Sequence, residues 1–155
     1  MDLIEAKRLF FAYDGSYFYM TRDGVQEAYR EAGVPPEVES AWLDELTQVK
    51  LQALRRKGNW WALYFLNRRD DHRHLAAVLE AEPMGVLWER CAFLEQLLKY
   101  SRGCEKAGGE PSMVAQAVGK VVVESERLLR RARSKASIDR IQAILTQARH
   151  DLDRD

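Results

Sequence analysis

Residues 138–152 read IDRIQAILTQARHDL, and Ile138, Ile141, Leu145, Ala148 and Leu152 step by three and four along one face. That is the period of an α-helix, in which successive residues turn by about 100°, and not of a strand, in which they alternate. The same reading extends backwards. Between Glu110-Pro111-Ser112 and Ser134, the positions Val114, Val118, Val121, Ser125, Leu128 and Ala132 mark a second helical face. Val121-Val122-Val123 lowers helix propensity there, because β-branched side chains are restricted against the preceding turn. Residues 86–100 hold Leu87, Trp88, Cys91, Phe93, Leu94, Leu97 and Leu98, more than one stripe, which predicts a central helix packed on several sides.

Further towards the N-terminus, Val38, Trp42, Leu46, Val49 and Ala53 follow Pro35-Pro36 and predict a helix over 36–57 that ends on Gly58 as a glycine cap. Trp60–Leu66 is nearly all apolar, so context decides for a helix, with Asn59 as its N-cap. Asp70 and Asp71 are expected to cap a short helix through Leu75, Val78 and Leu79, closed by Pro83 and Gly85. Gly103 and Gly108-Gly109 bracket the one long loop. The expectation is an all-α fold: a compact single-domain bundle of about six or seven helices spanning 1–155, with an aromatic-rich loop near the N-terminus.

Composition sets the function classes. Twenty-four Lys and Arg against 24 Asp and Glu leave no net field to draw nucleic acid or an anionic membrane. The distribution is uneven, since residues 1–54 hold ten acids against five bases, whereas 55–74 hold six bases against Asp70 and Asp71. The first residues, MDLIEAKR, place acids where an export signal needs bases, and no apolar run approaches the length of a membrane span. Cys91 and Cys104 have no metal-ligand spacing and suit a reducing compartment. A cytoplasmic protein is expected.

The segment Phe10–Gly24, FFAYDGSYFYMTRDG, holds six aromatic residues between Phe10 and Tyr19. Leu3, Ala6, Phe10 and Tyr13 keep helical spacing, and Asp23 with Gln26 resembles a capping box opening a helix through Tyr29. The reading is therefore helix, aromatic loop, helix; the competing one is a β-hairpin turning at Asp14-Gly15. Phe10, Phe11 and Phe18 are the expected core residues. Tyr13, Asp14, Ser16, Tyr17, Tyr19 and Arg22 are the candidate binding residues, because tyrosine and arginine dominate interface hot spots.

Other chemistry is thinner. Arg68-Arg69-Asp70-Asp71-His72-Arg73-His74 gathers two of the three histidines, but His72 and His74 lie about 200° apart on a helix and do not make a ligand pair. No metal, cofactor or catalytic residue is expected, since no nucleophile–base motif or phosphate loop is present in the sequence. The leading expectation is a non-catalytic protein-interaction or regulatory module. The partner is another protein, or a second copy covering the surplus apolar surface of the 86–100 helix. Two alternatives stand beside it: a nucleic-acid-binding regulator using Arg127, Arg130, Arg131 and Arg133 on the face that runs to Lys135, and a small-ligand binder at the aromatic segment, which needs polar groups converging beside the rings.

Overall fold

The computed structural model describes residues 1–154. Among these the protein is all-helical, with no strand and nine helices: α1 (Leu3–Ala12), α2 (Tyr17–Arg22), α3 (Gln26–Glu31), α4 (Pro36–Ala53), α5 (Asn59–Arg68), α6 (Leu75–Glu80), α7 (Leu87–Lys106), α8 (Pro111–Arg131) and α9 (Lys135–Leu152). The count exceeds six or seven because the segment expected as an aromatic loop is itself helical and supplies α2, and because the short α3 and α6 stand as separate helices. The chain divides into two compact units, Met1–Val49 and Lys50–Asp155, with the division inside α4.

Four helices stop in the same way. After α1, Asp14 takes a left-handed conformation (φ +49°), its N–H donates to Phe11 O, and the next N–H, on Gly15, donates to Phe10 O. Gly24 after α2, Asp70 after α5 and Gly108 after α7 repeat this pair of bonds with the residue that follows each. The arrangement satisfies last-turn carbonyls that have no partner within the helix. Asp14-Gly15 is thus a helix stop and not a hairpin turn. Asp23 belongs to the end of α2, where it pairs with Arg22, and α3 starts at Val25 without a side-chain cap. The expected Asp23–Gln26 capping box is absent for that reason.

In the N-terminal unit, α1 opens with a true capping box, Asp2 accepting from Glu5 N and Glu5 reaching back to Asp2 N. Its inward residue Phe10 has no exposed surface. Tyr29 stacks on Phe10 with ring centres 5.8 Å apart, Trp42 meets it at 5.7 Å, and Phe11 lies half-buried beneath Lys7. Phe18 reverses the expectation, being 72% exposed. The cause is helical geometry: Ser16, the N-cap of α2, and Met20 are four residues apart and both buried. Phe18, two residues from each, is turned about 200° to the opposite side.

In the second unit, α7 is the central element and packs on α5, α6, α8 and α9. Cys91, Phe93, Leu94, Leu97, Leu98, Tyr100 and Cys104 are all buried along it. Its surplus apolar surface is therefore covered by helices of the same chain, which removes the sequence argument for a second copy. Trp88, against the Trp60 ring at 5.8 Å, and Val86 stay exposed at its start. Gly103 lies inside α7 and not at a loop, and a Cβ there would run into the His72 imidazole. A side chain is omitted at that position so that the α5–α6 connection can lie on the helix.

α8 begins with Pro111 in its first turn and keeps helix through the valine run, because Val118, Val121 and Leu128 are buried. Burial of a face outweighs a few tenths of a kcal/mol per residue in propensity. Lys120 donates to the carbonyls of Leu79 and Ala81 and so closes the end of α6. Three expected caps are corrected. α4 stops at Ala53 and not at 57; Gly58 (φ +80°) precedes α5 as its N-cap; and Asn59 is buried, its amide donating to Leu54 O and Glu82 O. Asp70 and Asp71 do not cap α6, which starts at His74 without a side-chain cap. Among the described residues, no helix is long and apolar enough to cross a membrane.

The Phe10 packing yields a direct test. A Cβ on Gly15 would stand 2.8 Å from Phe10 Cζ and 2.9 Å from Leu43 Cδ2, in a backbone conformation (φ +67°) that disfavours any side chain. Gly15→Ala should cost about 2 to 4 kcal/mol, combining left-handed strain with overpacking. Urea unfolding followed by circular dichroism reads it, and an unchanged midpoint would mean that Phe10 is not seated on Gly15.

Candidate functional site

The six residues singled out around the aromatic segment separate by position. Tyr13 ends α1 as its C-cap, Asp14 is the left-handed residue after it, and Ser16 caps α2 by accepting from Tyr19 N at 3.4 Å. Tyr19 and Arg22 stay together near the surface, with the guanidinium 5.0 Å from the ring centre and Asp23 held against Arg22 at 2.6 Å. Phe18 meets the edge of Tyr19 with ring centres 5.3 Å apart. Phe18 is the prominent ring of this surface, and the spacing Ser16–Met20 was the sequence signal that would have placed it outside.

Tyr17 leads elsewhere. Its hydroxyl donates to Glu39 Oε1, and the Tyr29 hydroxyl donates to Glu39 Oε2 at 3.2 Å. The two rings are 5.9 Å apart. With Gln26, Arg30, Gly33 and Val34 they line an open cleft of about 290 Å³. Here polar groups do converge beside the rings, the condition that a ligand site requires. Burial, and then the Glu39 carboxylate that accepts its proton, push Tyr17 up to about 12. Tyr29 is raised by burial first and by Glu39 next. Glu39 and Arg30 carry no local sequence signal, since Glu39 lies 22 residues from Tyr17 on the first turn of another helix.

The histidine segment is tied down differently. Asp71 is buried, accepts from Arg73 Nε at 2.9 Å and Nη2 at 3.0 Å, and lies 3.1 Å from His74 Nε2. The Tyr100 hydroxyl donates to Asp71 O at 2.8 Å and accepts from His74 N at 3.1 Å, while the His72 ring packs against Tyr100. His72 and His74 are thus used by separate contacts. Cys104, which falls between the glycines expected to bracket a loop, is buried in α7, and burial pushes its thiol up to about 11. A thiol so held is not ionised at neutral pH.

On the basic face, Arg127 pairs with Glu124 at 2.6 Å and Arg133 donates to the carbonyls of Arg130 and Ala132. Arg130 and Arg131 are exposed on the last turn of α8, where the helix dipole favours cations. Glu126, paired with Arg149 from α9, interrupts the positive surface. No protein-family model, curated protein or solved structure matches the chain.

Two pH measurements follow from these groups. In an alkaline absorbance titration, Tyr17 should ionise near 12, and Glu39→Gln should bring it down, since the hydrogen bond to a carboxylate holds the proton on the phenol. Because the folded value is raised, the associated stability is complete below about 10 and is lost as pH rises through the folded value. An unchanged titration in Glu39→Gln would break the link. For Asp71, the Arg73 hydrogen bonds chiefly hold the carboxyl well below its ordinary range, with His74 adding to them. A depressed folded value means stability that is complete above about pH 4 and falls away as pH drops towards that value. Arg73 is largely exposed, so Asp71→Asn should cost only about 1 to 2 kcal/mol at pH 7, an effect that vanishes in strong acid. A pH-independent difference would contradict the assignment.

Proposed function

We propose that this chain is a non-catalytic binding module that engages another protein through helix α2, with Phe18 at the centre of the contact. The observation that carries the reading is a phenylalanine 72% exposed on a short, well-capped helix. Leaving such a ring in water forgoes about 1.5 to 3 kcal/mol of burial, which docking recovers. Tyr17, 42% exposed, and the Tyr19–Arg22 pair flank it, and aromatic residues and arginine are the side chains enriched where interfaces concentrate their energy.

The backbone of the site is also fixed at both ends. Ser16 and Met20 fix the inner face of α2, and Gly24 stops it one turn later, so the backbone is ordered before a partner docks. The non-catalytic part of the proposal draws on the two thiols, both buried and both raised by burial. A cytoplasmic setting agrees with these free cysteines.

Photocrosslinking from position 18 tests the proposal. Benzoylphenylalanine placed there in the source cells should give one dominant adduct of discrete mass, while the same probe at the exposed Val123 of α8 should not. With the captured partner in hand, Phe18→Ala should weaken binding by about thirty-fold, the scale of an aromatic hot spot. No adduct at position 18, or the same pattern from 18 and 123, would overturn it.

A further inference from the structure

The cleft behind α2 has a charge pattern that the protein-docking surface does not explain. It is lined by one acid, Glu39, and one base, Arg30, together with Tyr17 and Tyr29. A carboxylate offers about four lone-pair positions. Two are taken by the Tyr17 and Tyr29 hydroxyls, which hold the carboxylate in one orientation and leave acceptor capacity free. Among the described residues, none forms an ion pair with Arg30.

We propose that this cleft binds a free α-amino acid as its zwitterion, the ammonium on Glu39 beside the Tyr17 ring and the carboxylate on Arg30. A lone cation would be opposed by Arg30 and a lone anion by Glu39; a small ligand carrying both charges meets each with its opposite. The exposed Tyr17 ring adds attraction for the ammonium, and Arg30 presents a planar fork suited to a carboxylate. A volume of about 290 Å³ sits at the lower limit of ligand pockets, which suits a molecule of this size. Gly33 contributes no side chain to the wall, and a Cβ there would meet nothing within 4 Å. That open edge leaves room for the side chain of the amino acid.

The test is ligand-observed saturation-transfer NMR on the full chain with the twenty standard amino acids in pools, followed by calorimetric titration of those that respond. At least one should bind with a Kd of about 1 mM or tighter. Its N-acetyl derivative and its carboxamide should each bind at least about tenfold more weakly, because each removes one of the two charges. Arg30→Met, at an exposed position, should cause the same loss with unchanged helical circular dichroism. Glu39→Gln should do so as well. Since Glu39 also joins Tyr17 to Tyr29, the two capped ligands, titrated into the wild-type protein, decide the matter if that variant unfolds. No saturation by any of the twenty at about 10 mM, or equal binding of free and capped forms, would overturn the proposal. Position 18 crosslinking reads a different surface, so the two results stand or fall separately.

Discussion

Where each helix stops decides where its side chains point, and four of the stops share a left-handed residue directly after the C-cap and the pair of hydrogen bonds made there. At α1 that residue is Asp14, followed by Gly15, whose missing side chain lets the Phe10 ring lie against the backbone. If α1 continued for another residue or two, the 100° per residue rotation would carry Tyr17 away from Glu39 and bring Phe18 inward. The stop therefore separates a core ring, Phe10, from a surface ring, Phe18, only eight residues later. It also sets Ser16 in place to cap the next helix. The same pair of hydrogen bonds after α5 leads the chain into Asp71, whose carboxylate then gathers Arg73 and His74.

In the second unit the corresponding constraint is the number of faces that α7 buries. A helix with neighbours on several sides cannot carry a single apolar stripe, and its polar members must be satisfied inside. Tyr100 meets that condition by bonding the backbone of Asp71 and His74, and Ser101 by donating to Leu97 O. Gly103 meets a different one, the approach of His72. These buried polar contacts join the α5–α6 connection to α7, which makes the histidine segment part of the framework.

Much of this was legible in the sequence wherever one face of a helix is buried and the other wet. α8 and α9 were readable from spacing alone, and the crowded α7 from the excess of apolar residues. What failed to read were features whose cause is not local. Asp14-Gly15 fits a hairpin turn and a helix stop equally well, because both need left-handed residues; only the flanking bonds to Phe10 and Phe11 distinguish them. Gly103 looked like punctuation because its partner, His72, lies 31 positions away. Aromatic density marks residues 10–19 but does not report a face, so it groups Phe18 with the core although Ser16 and Met20 hold the inward register. The cleft depends on Glu39, whose tie to Tyr17 exists only after α2, α3 and α4 have formed.

The separation of Phe10 from Phe18 is the claim on which the account of the N-terminal unit depends, and fluorine NMR reads it directly. With 4-fluorophenylalanine in place of phenylalanine and resonances assigned by single substitutions, exchange of H₂O for D₂O shifts a fluorine in proportion to its contact with solvent. The structure requires a large solvent shift at position 18 and none at position 10. A protected fluorine at position 18, or an exposed one at position 10, would show that α1 does not stop at Asp14-Gly15 and that the surface ascribed to α2 does not exist.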